Sequence, residues 1–231
     1  MTWIRRLREA PVTSALIVAN LLVFAVMAAV SRRVLSFDGT TLMDAGASIY
    51  SPGADTTRWR WLTAAFVHVN LLHILMNLWV LGQIGILSER AIGGGLLAGA
   101  YVLTGTLGNA TSYLLAASRG RELISAGASG AIMGLIGMAA TYAWLTGQRG
   151  AARALAFNIL LVLGVGLSLS ARGVNLVDNG AHIGGLLGGV LLGVARVPLK
   201  RPVPRWLDRS LVVGSLALTA IAFAAVQFLP G

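Results

Sequence analysis

Four polar residues lie inside long apolar stretches of the sequence, and their types suit hydrolysis. Strongly polar side chains are rare within membrane spans, and those that occur usually serve a function. A serine hydroxyl becomes a nucleophile when a base removes its proton, and a neutral imidazole is the usual base. An amide or an imidazole can donate a hydrogen bond to the oxyanion that then forms. The residues that carry this chemistry are Ser129, His182, Asn77 and His73.

The spacing of these residues predicts that they lie at one depth. His73 and Asn77 are four residues apart, so they share one face of a helix. We estimate the distance of each residue along its helix from the expected cytoplasmic end of that span. The distances are roughly 18 Å for Asn77, 21 Å for His182 and 22 Å for Ser129. The hydrocarbon core of a bilayer is about 30 Å thick. An amide, an imidazole and a hydroxyl are therefore expected at one level below the outer surface.

Seven apolar segments must position these residues. Only 11% of the 231 residues are charged, and the mean hydropathy is +0.78, whereas about a quarter of a soluble domain is charged. A membrane-spanning helix needs about 20 apolar residues. We predict an all-α, polytopic transmembrane bundle with a six-span core and one C-terminal span. The expected spans are 11–31, 70–88, 94–117, 127–146, 152–170, 179–197 and 210–229.

Four regions follow from these spans. They are a cytoplasmic N-terminal segment (1–10), a six-span catalytic core (11–197), a basic cytoplasmic linker (198–209) and a seventh span with the C-terminus (210–231). Segment 11–31 follows three arginines and could be a signal peptide. Its apolar run is long for that, and no small-x-small cleavage site follows it, so we favour a retained first span.

The loops indicate the orientation in the membrane. Lys and Arg are more numerous in the loops that an inside N-terminus would leave in the cytoplasm, as the positive-inside rule expects. The C-terminus is then expected outside. The glycine- and alanine-rich, lysine-poor composition is typical of a bacterial protein, and we expect the inner membrane.

Composition also argues against other classes. The net charge is +10, but the charges lie between apolar segments, so we expect contact with the lipid bilayer and not with nucleic acid. The chain has no cysteine, which excludes disulfides, thiolate metal sites and a cysteine nucleophile. Three histidines could ligate zinc, but no carboxylate is well placed and no H-E-x-x-H motif occurs. We expect no metal and no cofactor.

Two polar segments separate the spans. The loop 32–69 holds Trp59 and Trp61 beside arginines, a composition typical of the membrane interface. We predict a partly helical loop on or in the outer leaflet. Segment 118–126 is too polar to face lipid. We predict that it dips inward, so that a helix begins at Ser129 and water reaches the hydroxyl.

These residues stand in motifs that resemble the rhomboid family of intramembrane serine proteases. The resemblance covers about residues 11–197. The nucleophile motif is Gly127-Ala128-Ser129-Gly130, and the base motif is Ala181-His182 with Gly185 and Gly189. His73-x-x-x-Asn77 resembles the oxyanion motif, Trp59-Arg60 the pair in the first loop, and Glu89 the glutamate that closes the second span.

The resemblance implies a Ser129–His182 dyad without a third acid. It implies an oxyanion hole from Asn77, His73 and the Ser129 backbone N–H. It also implies that transmembrane proteins, typically single-span, are the substrates, and that they reach the site laterally near the fifth span. The residues that it implies as structural support are Gly127, Gly130, Gly185, Gly189, Trp59, Arg60 and Glu89.

Several positions stay open at this point. Met133 stands where many members have an aromatic side chain packed on the catalytic histidine, and a flexible thioether can still pack there. Asp178 could be a triad acid, but we favour a helix cap. Asn179 could contact the substrate, and His68 could support the loop.

Two other functions remain possible. A catalytically silent rhomboid-like protein would bind client transmembrane helices, but such relatives typically lose the serine or the histidine, and this chain has both. A small transporter would be expected to show inverted repeats or paired broken helices. Neither pattern is evident in the sequence.

Overall fold

Seven long helices form the bundle within the described part of the chain, as predicted. The computed structural model describes residues 3–52, 58–173, 177–197 and 203–228. Every predicted span overlaps one long helix, which confirms the all-α polytopic fold with six spans and a C-terminal seventh. The helices are α1 (Pro11–Ser31), α2 (Leu71–Ile92), α3 (Gly94–Ser118), α4 (Ser129–Leu145), α5 (Arg149–Ala171), α6 (Asn179–Arg196) and α7 (Arg205–Phe228).

The seventh helix begins earlier than the sequence predicted. Helix α7 starts at Arg205, inside the segment 198–209 that was expected to be a linker. Residues 198–202 of that segment lie outside the described residues. By length and composition, α1, α2, α5 and α7 are apolar enough to cross a membrane, and α4 is a shorter apolar helix.

The loop between α1 and α2 is partly helical, as predicted. It contains short helices at Gly39–Asp44 and Arg60–Thr63 and a 3₁₀ turn at Ala64–Phe66, and a further short helix, Trp3–Arg8, precedes α1. Two strands were not predicted: β1 (Ser48–Tyr50) pairs antiparallel with β2 (Leu123–Ser125), with Ser48 opposite Ser125. The pair joins the first loop to the segment that leads into α4.

Helices α4 and α6 cross with their backbones in direct contact. A Cβ atom placed on Gly185 would overlap the carbonyl oxygen of Gly130, and one on Gly189 would overlap that of Gly134. Gly130 and Gly134 on α4, four positions apart, therefore face Gly185 and Gly189 on α6, which have the same spacing. Lipid tails are as apolar as the helices, so association depends on such close packing.

Glu89 joins the end of α2 to the start of α1. Its two carboxylate oxygens accept hydrogen bonds from the backbone N–H of Val12 (2.9 Å), the N–H of Thr13 (2.7 Å) and the Thr13 hydroxyl (2.7 Å). The residue that precedes α1, Ala10, supplies no side-chain cap. A buried carboxylate at a helix start satisfies unpaired N–H groups and complements the helix dipole.

We predict that Glu89→Ala destabilises the protein. The variant leaves three donors of the first turn of α1 without an acceptor, which should reduce the free energy of unfolding by about 1–3 kcal/mol. The thermal midpoint, followed by tryptophan fluorescence in detergent, should fall, and Glu89→Gln should lie between Ala and wild type.

Glu9→Ala is the matched control. Glu9 forms exposed ion pairs with Arg5 and Arg90, and such pairs contribute little to stability. Equal thermal midpoints for the Glu89 and Glu9 variants would contradict the role given to Glu89.

Candidate active site

Ser129 is the first residue of α4 and is half-buried. Two contacts fix the turn before it: the N–H of Gly127 donates to the carbonyl of Ala64 (2.9 Å), and the N–H of Ala128 donates to Nε2 of His68 (3.4 Å). Ala128 gives α4 no side-chain cap. The first N–H groups of a helix lack intrahelical partners, so the helix start offers donors beside the Ser129 hydroxyl.

His68 holds this turn as a neutral imidazole. Its ring is fully buried, and Nδ1 lies 3.2 Å from the carbonyl oxygen of Phe66. A carbonyl only accepts, so Nδ1 carries the proton, and Nε2 is left to accept from Ala128. His68 therefore supports the loop.

His73 lies against the same turn. Gly127 has φ +138°, and a Cβ atom there would lie 2.7 Å from Cε1 of His73 and 2.9 Å from Nε2. Both the backbone angle and the ring favour glycine at this position. The rings of His73 and His68 meet edge to face at 5.2 Å.

Asn77 lies one turn further along α2. Its side-chain N–H donates to the carbonyl of His73 (2.9 Å) within α2. The amide is buried, with 6% of its surface exposed, and no described contact links it to Ser129. One side-chain N–H and the amide oxygen remain for other partners.

His182 lies on α6 and is 6% exposed. A Cβ atom on Gly130 would lie 3.2 Å from the carbonyl oxygen of Ala181, so the backbones of α4 and α6 approach closely here. Ser129 directly precedes Gly130, and His182 directly follows Ala181. Within the described residues no hydrogen bond joins Ser129 to His182, and Nδ1 of His182 has no partner.

Asp178 caps α6, as the sequence predicted. Its Oδ1 accepts from the N–H of Ala181 (2.9 Å) and from the hydroxyl of Ser112 on α3 (2.5 Å). Its Oδ2 accepts from the hydroxyl of Ser125 on β2, and its backbone carbonyl accepts from the N–H of His182 (3.0 Å). One carboxylate thus ties α3, β2 and the start of α6 together.

The hydrogen-bond partners of Asp178 on α3 and β2 were not predicted from the sequence. The Ser125 hydroxyl also contacts Oδ1 of Asn109 (3.1 Å), whose amide donates to the carbonyl of Trp61 (2.8 Å). Asn109 and Ser112 are three residues apart on α3 and are buried. Polar residues at that spacing within a predicted span were the available signal.

Trp59 and Arg60 hold the first loop. Trp59 packs against the core, while Arg60 donates to the carbonyls of Met43 (2.5 Å) and Ala47 (3.4 Å). Burial lowers the pKa of Arg60 from its ordinary value, and the carboxylate of Asp44 opposes that shift.

Met133 and Asn179, whose roles the sequence left open, both contact other parts of the bundle. Met133 is buried in the core, at 2% exposure. The amide of Asn179 donates to the hydroxyl of Ser170 (2.8 Å), which links the start of α6 to the end of α5. Over the residues that the structure describes, no three His, Cys, Asp or Glu side chains come together as metal ligands.

Comparison with known proteins identifies the family. A family model described as the rhomboid domain matches residues 55–199, which is more than half of the chain. This chain therefore belongs to the rhomboid family.

Curated relatives agree with that assignment. The chain is 33% identical over 155 residues to rhomboid protease GluP of Bacillus subtilis, covering 67% of this chain and 29% of that protein. It is 32% identical over 171 residues to rhomboid-like protease 2 of Toxoplasma gondii, covering 74% and 59%. It is 34% identical over 135 residues to RHOMBOID-like protein 7 of Arabidopsis thaliana, covering 58% and 42%. The chain thus spans less than two thirds of the length of each of these relatives.

We predict that Gly185→Ala separates α4 from α6. The new methyl group would overlap the Gly130 carbonyl oxygen, so the thermal midpoint should fall. Gly99→Ala on α3 is the control, because no atom lies within 4 Å of its Cβ position. Alanine favours a helix over glycine by about 0.5–1 kcal/mol, so that variant should melt at or above wild type. An unchanged midpoint for Gly185→Ala would contradict the close contact.

We also predict that Asp178→Ala destabilises the protein more than Asp38→Ala does. Asp38 caps an exposed short helix through the N–H and hydroxyl of Thr41, where water can replace it. The buried donors of Asp178 would stay unpaired, at a cost of about 1–3 kcal/mol. Asp178→Asn keeps a good cap and should melt between Ala and wild type. Equal midpoints for the two alanine variants would refute the network.

Proposed function

We propose that this protein is an intramembrane serine endopeptidase that uses Ser129 as nucleophile and His182 as general base. The observation that supports the proposal is the close approach of Gly130 to the carbonyl oxygen of Ala181, because Ser129 precedes Gly130 and His182 follows Ala181 at this crossing of α4 and α6. A serine and a histidine at such a crossing suit nucleophilic catalysis. The proposed substrates are transmembrane proteins, typically with a single span.

The proposed reaction is acyl transfer to serine and then to water. The Ser129 oxygen attacks the peptide carbonyl carbon while His182 takes the hydroxyl proton, and that proton then goes to the departing amine as the C–N bond breaks. A water molecule hydrolyses the acyl-enzyme by the same path in reverse. The missing Ser129–His182 hydrogen bond fits this scheme, since catalytic hydrogen bonds often tighten only with substrate bound.

The oxyanion hole is proposed from three donors. The Ser129 N–H stands at the uncapped start of α4, Asn77 keeps one side-chain N–H, and His73 lies against Gly127. Asp178 is not proposed as a third acid, because its oxygens already accept from Ala181, Ser112 and Ser125.

Access is proposed beside α5. Only 6% of its most apolar stretch is buried, compared with 50% for that of α2, so most of α5 faces away from the other described helices. Lateral passage of a substrate helix there would bring its peptide bonds toward the half-buried Ser129.

We propose 11–197 as the catalytic core, 1–10 and 198–209 as cytoplasmic flanks, and 210–231 as an added span. The proposed location is a bacterial inner membrane, with the N-terminus inside and the C-terminus outside.

A client-binding protein without catalysis is the second candidate. It would keep the rhomboid fold but leave Ser129 unactivated, and an unactivated serine is a weak nucleophile. The two candidates differ in whether Ser129 reacts.

Labelling with a fluorophosphonate probe tests the proposal. Purified wild type in detergent should label, Ser129→Ala and His182→Ala should not, and Asn77→Ala should label about 10²–10³ times more slowly, as for loss of an oxyanion donor. Unlabelled but folded wild type that also leaves a single-span substrate uncut in lipid would exclude the protease and favour the client-binding candidate.

A further inference from the structure

Helix α7 lies beyond the residues that match the family model, yet it docks on the bundle at both of its ends. The match covers residues 55–199, and α7 spans Arg205–Phe228. It packs along α3 and against the short helix Arg60–Thr63.

At its start, α7 caps another helix. Oδ1 of Asp208 accepts from the N–H of Gly95 (2.7 Å), in the first turn of α3. A Cβ atom on Gly95 would overlap the Asp208 backbone, and one on Gly93 would lie 2.9 Å from Oδ1. Residues without side chains at the start of α3 thus leave room for Asp208, and the carboxylate supplies a cap that Gly93 lacks.

At its other end, α7 reaches the first loop. Ala222 and Val226 are buried, whereas Ile221 is 65% exposed. A methyl group of Val226 lies 3.2 Å from the Cβ position of Gly46. The ring of Phe223 meets the ring of Phe66 edge to face at 6.0 Å. From Asp208 to Val226 the helix covers roughly 27 Å, so α7 runs beside α3 through most of the bundle.

Phe66 belongs to the segment that positions the turn before Ser129. The carbonyl of Phe66 fixes the tautomer of His68, which accepts from Ala128. The carbonyl of Ala64, two residues earlier, accepts from Gly127. Residues 64–68, here called the supporting segment, therefore make the two contacts that place the start of α4.

We infer that α7 is a positioning element for the active site: through Phe223 on Phe66 it holds the supporting segment, and thereby the turn that carries Ser129. The inference rests on the proposed protease function. Under it, the seventh span is part of the working enzyme, and the six-span unit alone lacks the contact of Phe223 with the supporting segment.

The first test compares two substitutions on neighbouring positions of α7. Phe223→Ala should slow fluorophosphonate labelling by roughly 10- to 100-fold, the scale expected when a reacting group is misplaced by about 1 Å. Ile221 faces away from the bundle, so Ile221→Ala should label at the wild-type rate. Phe223→Tyr keeps the ring and should recover most of the rate.

Thermal midpoints separate positioning from general instability. A positioning role predicts that Phe223→Ala labels slowly even at temperatures where its melting curve shows it to be fully folded. If wild type labels and Phe223→Ala labels equally fast, the inference is wrong while the proposed function stands. If wild type itself does not label, the proposed function fails first.

A second measurement tests docking without any activity. The chain has no cysteine, so single cysteines can be placed at Val226, which is buried, and at its neighbour Gln227, which is exposed. Maleimide in detergent should modify Gln227→Cys quickly and Val226→Cys slowly. Equal rates would show that α7 does not dock at the first loop and would overturn the inference.

Discussion

The whole bundle depends on one crossing where side chains are absent. Helices α4 and α6 touch through the carbonyls of Gly130 and Gly134 and the Cα atoms of Gly185 and Gly189. Apolar side chains gain nothing by leaving lipid for protein, so van der Waals contact between backbones must supply the association. The crossing also decides where Ser129 can lie relative to α6, since α4 begins with that residue.

Acidic side chains provide a second principle of assembly. Three carboxylates accept hydrogen bonds from the first turn of a long helix. Glu89 binds α1, Asp178 binds α6 and Asp208 binds α3. Two of the three, Glu89 and Asp208, reach a helix distant in sequence. The chain has only eight Asp and Glu, and three of them stand at the starts of long helices, where they satisfy N–H groups that lipid cannot. These carboxylates join helices and strands to one another, and none of them is needed for the chemistry proposed for Ser129 and His182.

The sequence predicted the spans, the partly helical first loop and a helix that begins at Ser129 because each depends on local composition. It could not predict the short β1–β2 pair, since three residues carry no usable period. The partners of Asp178 lie 53 and 66 residues away, so only the fold brings them together. A hydrogen bond between Ser129 and His182 would depend on side-chain rotamers, which residue types and spacing do not specify.

The Asp208 cap has a consequence for biogenesis. The hydrogen bond from Gly95 crosses 113 residues of sequence, so α3 enters the bilayer long before its cap has been synthesised. During translation, its first turn must be satisfied by water or lipid headgroups at the membrane surface. Final packing of α3 then waits for the ribosome to deliver the last helix, so a chain still being translated holds all of its proposed catalytic residues in an unfinished scaffold.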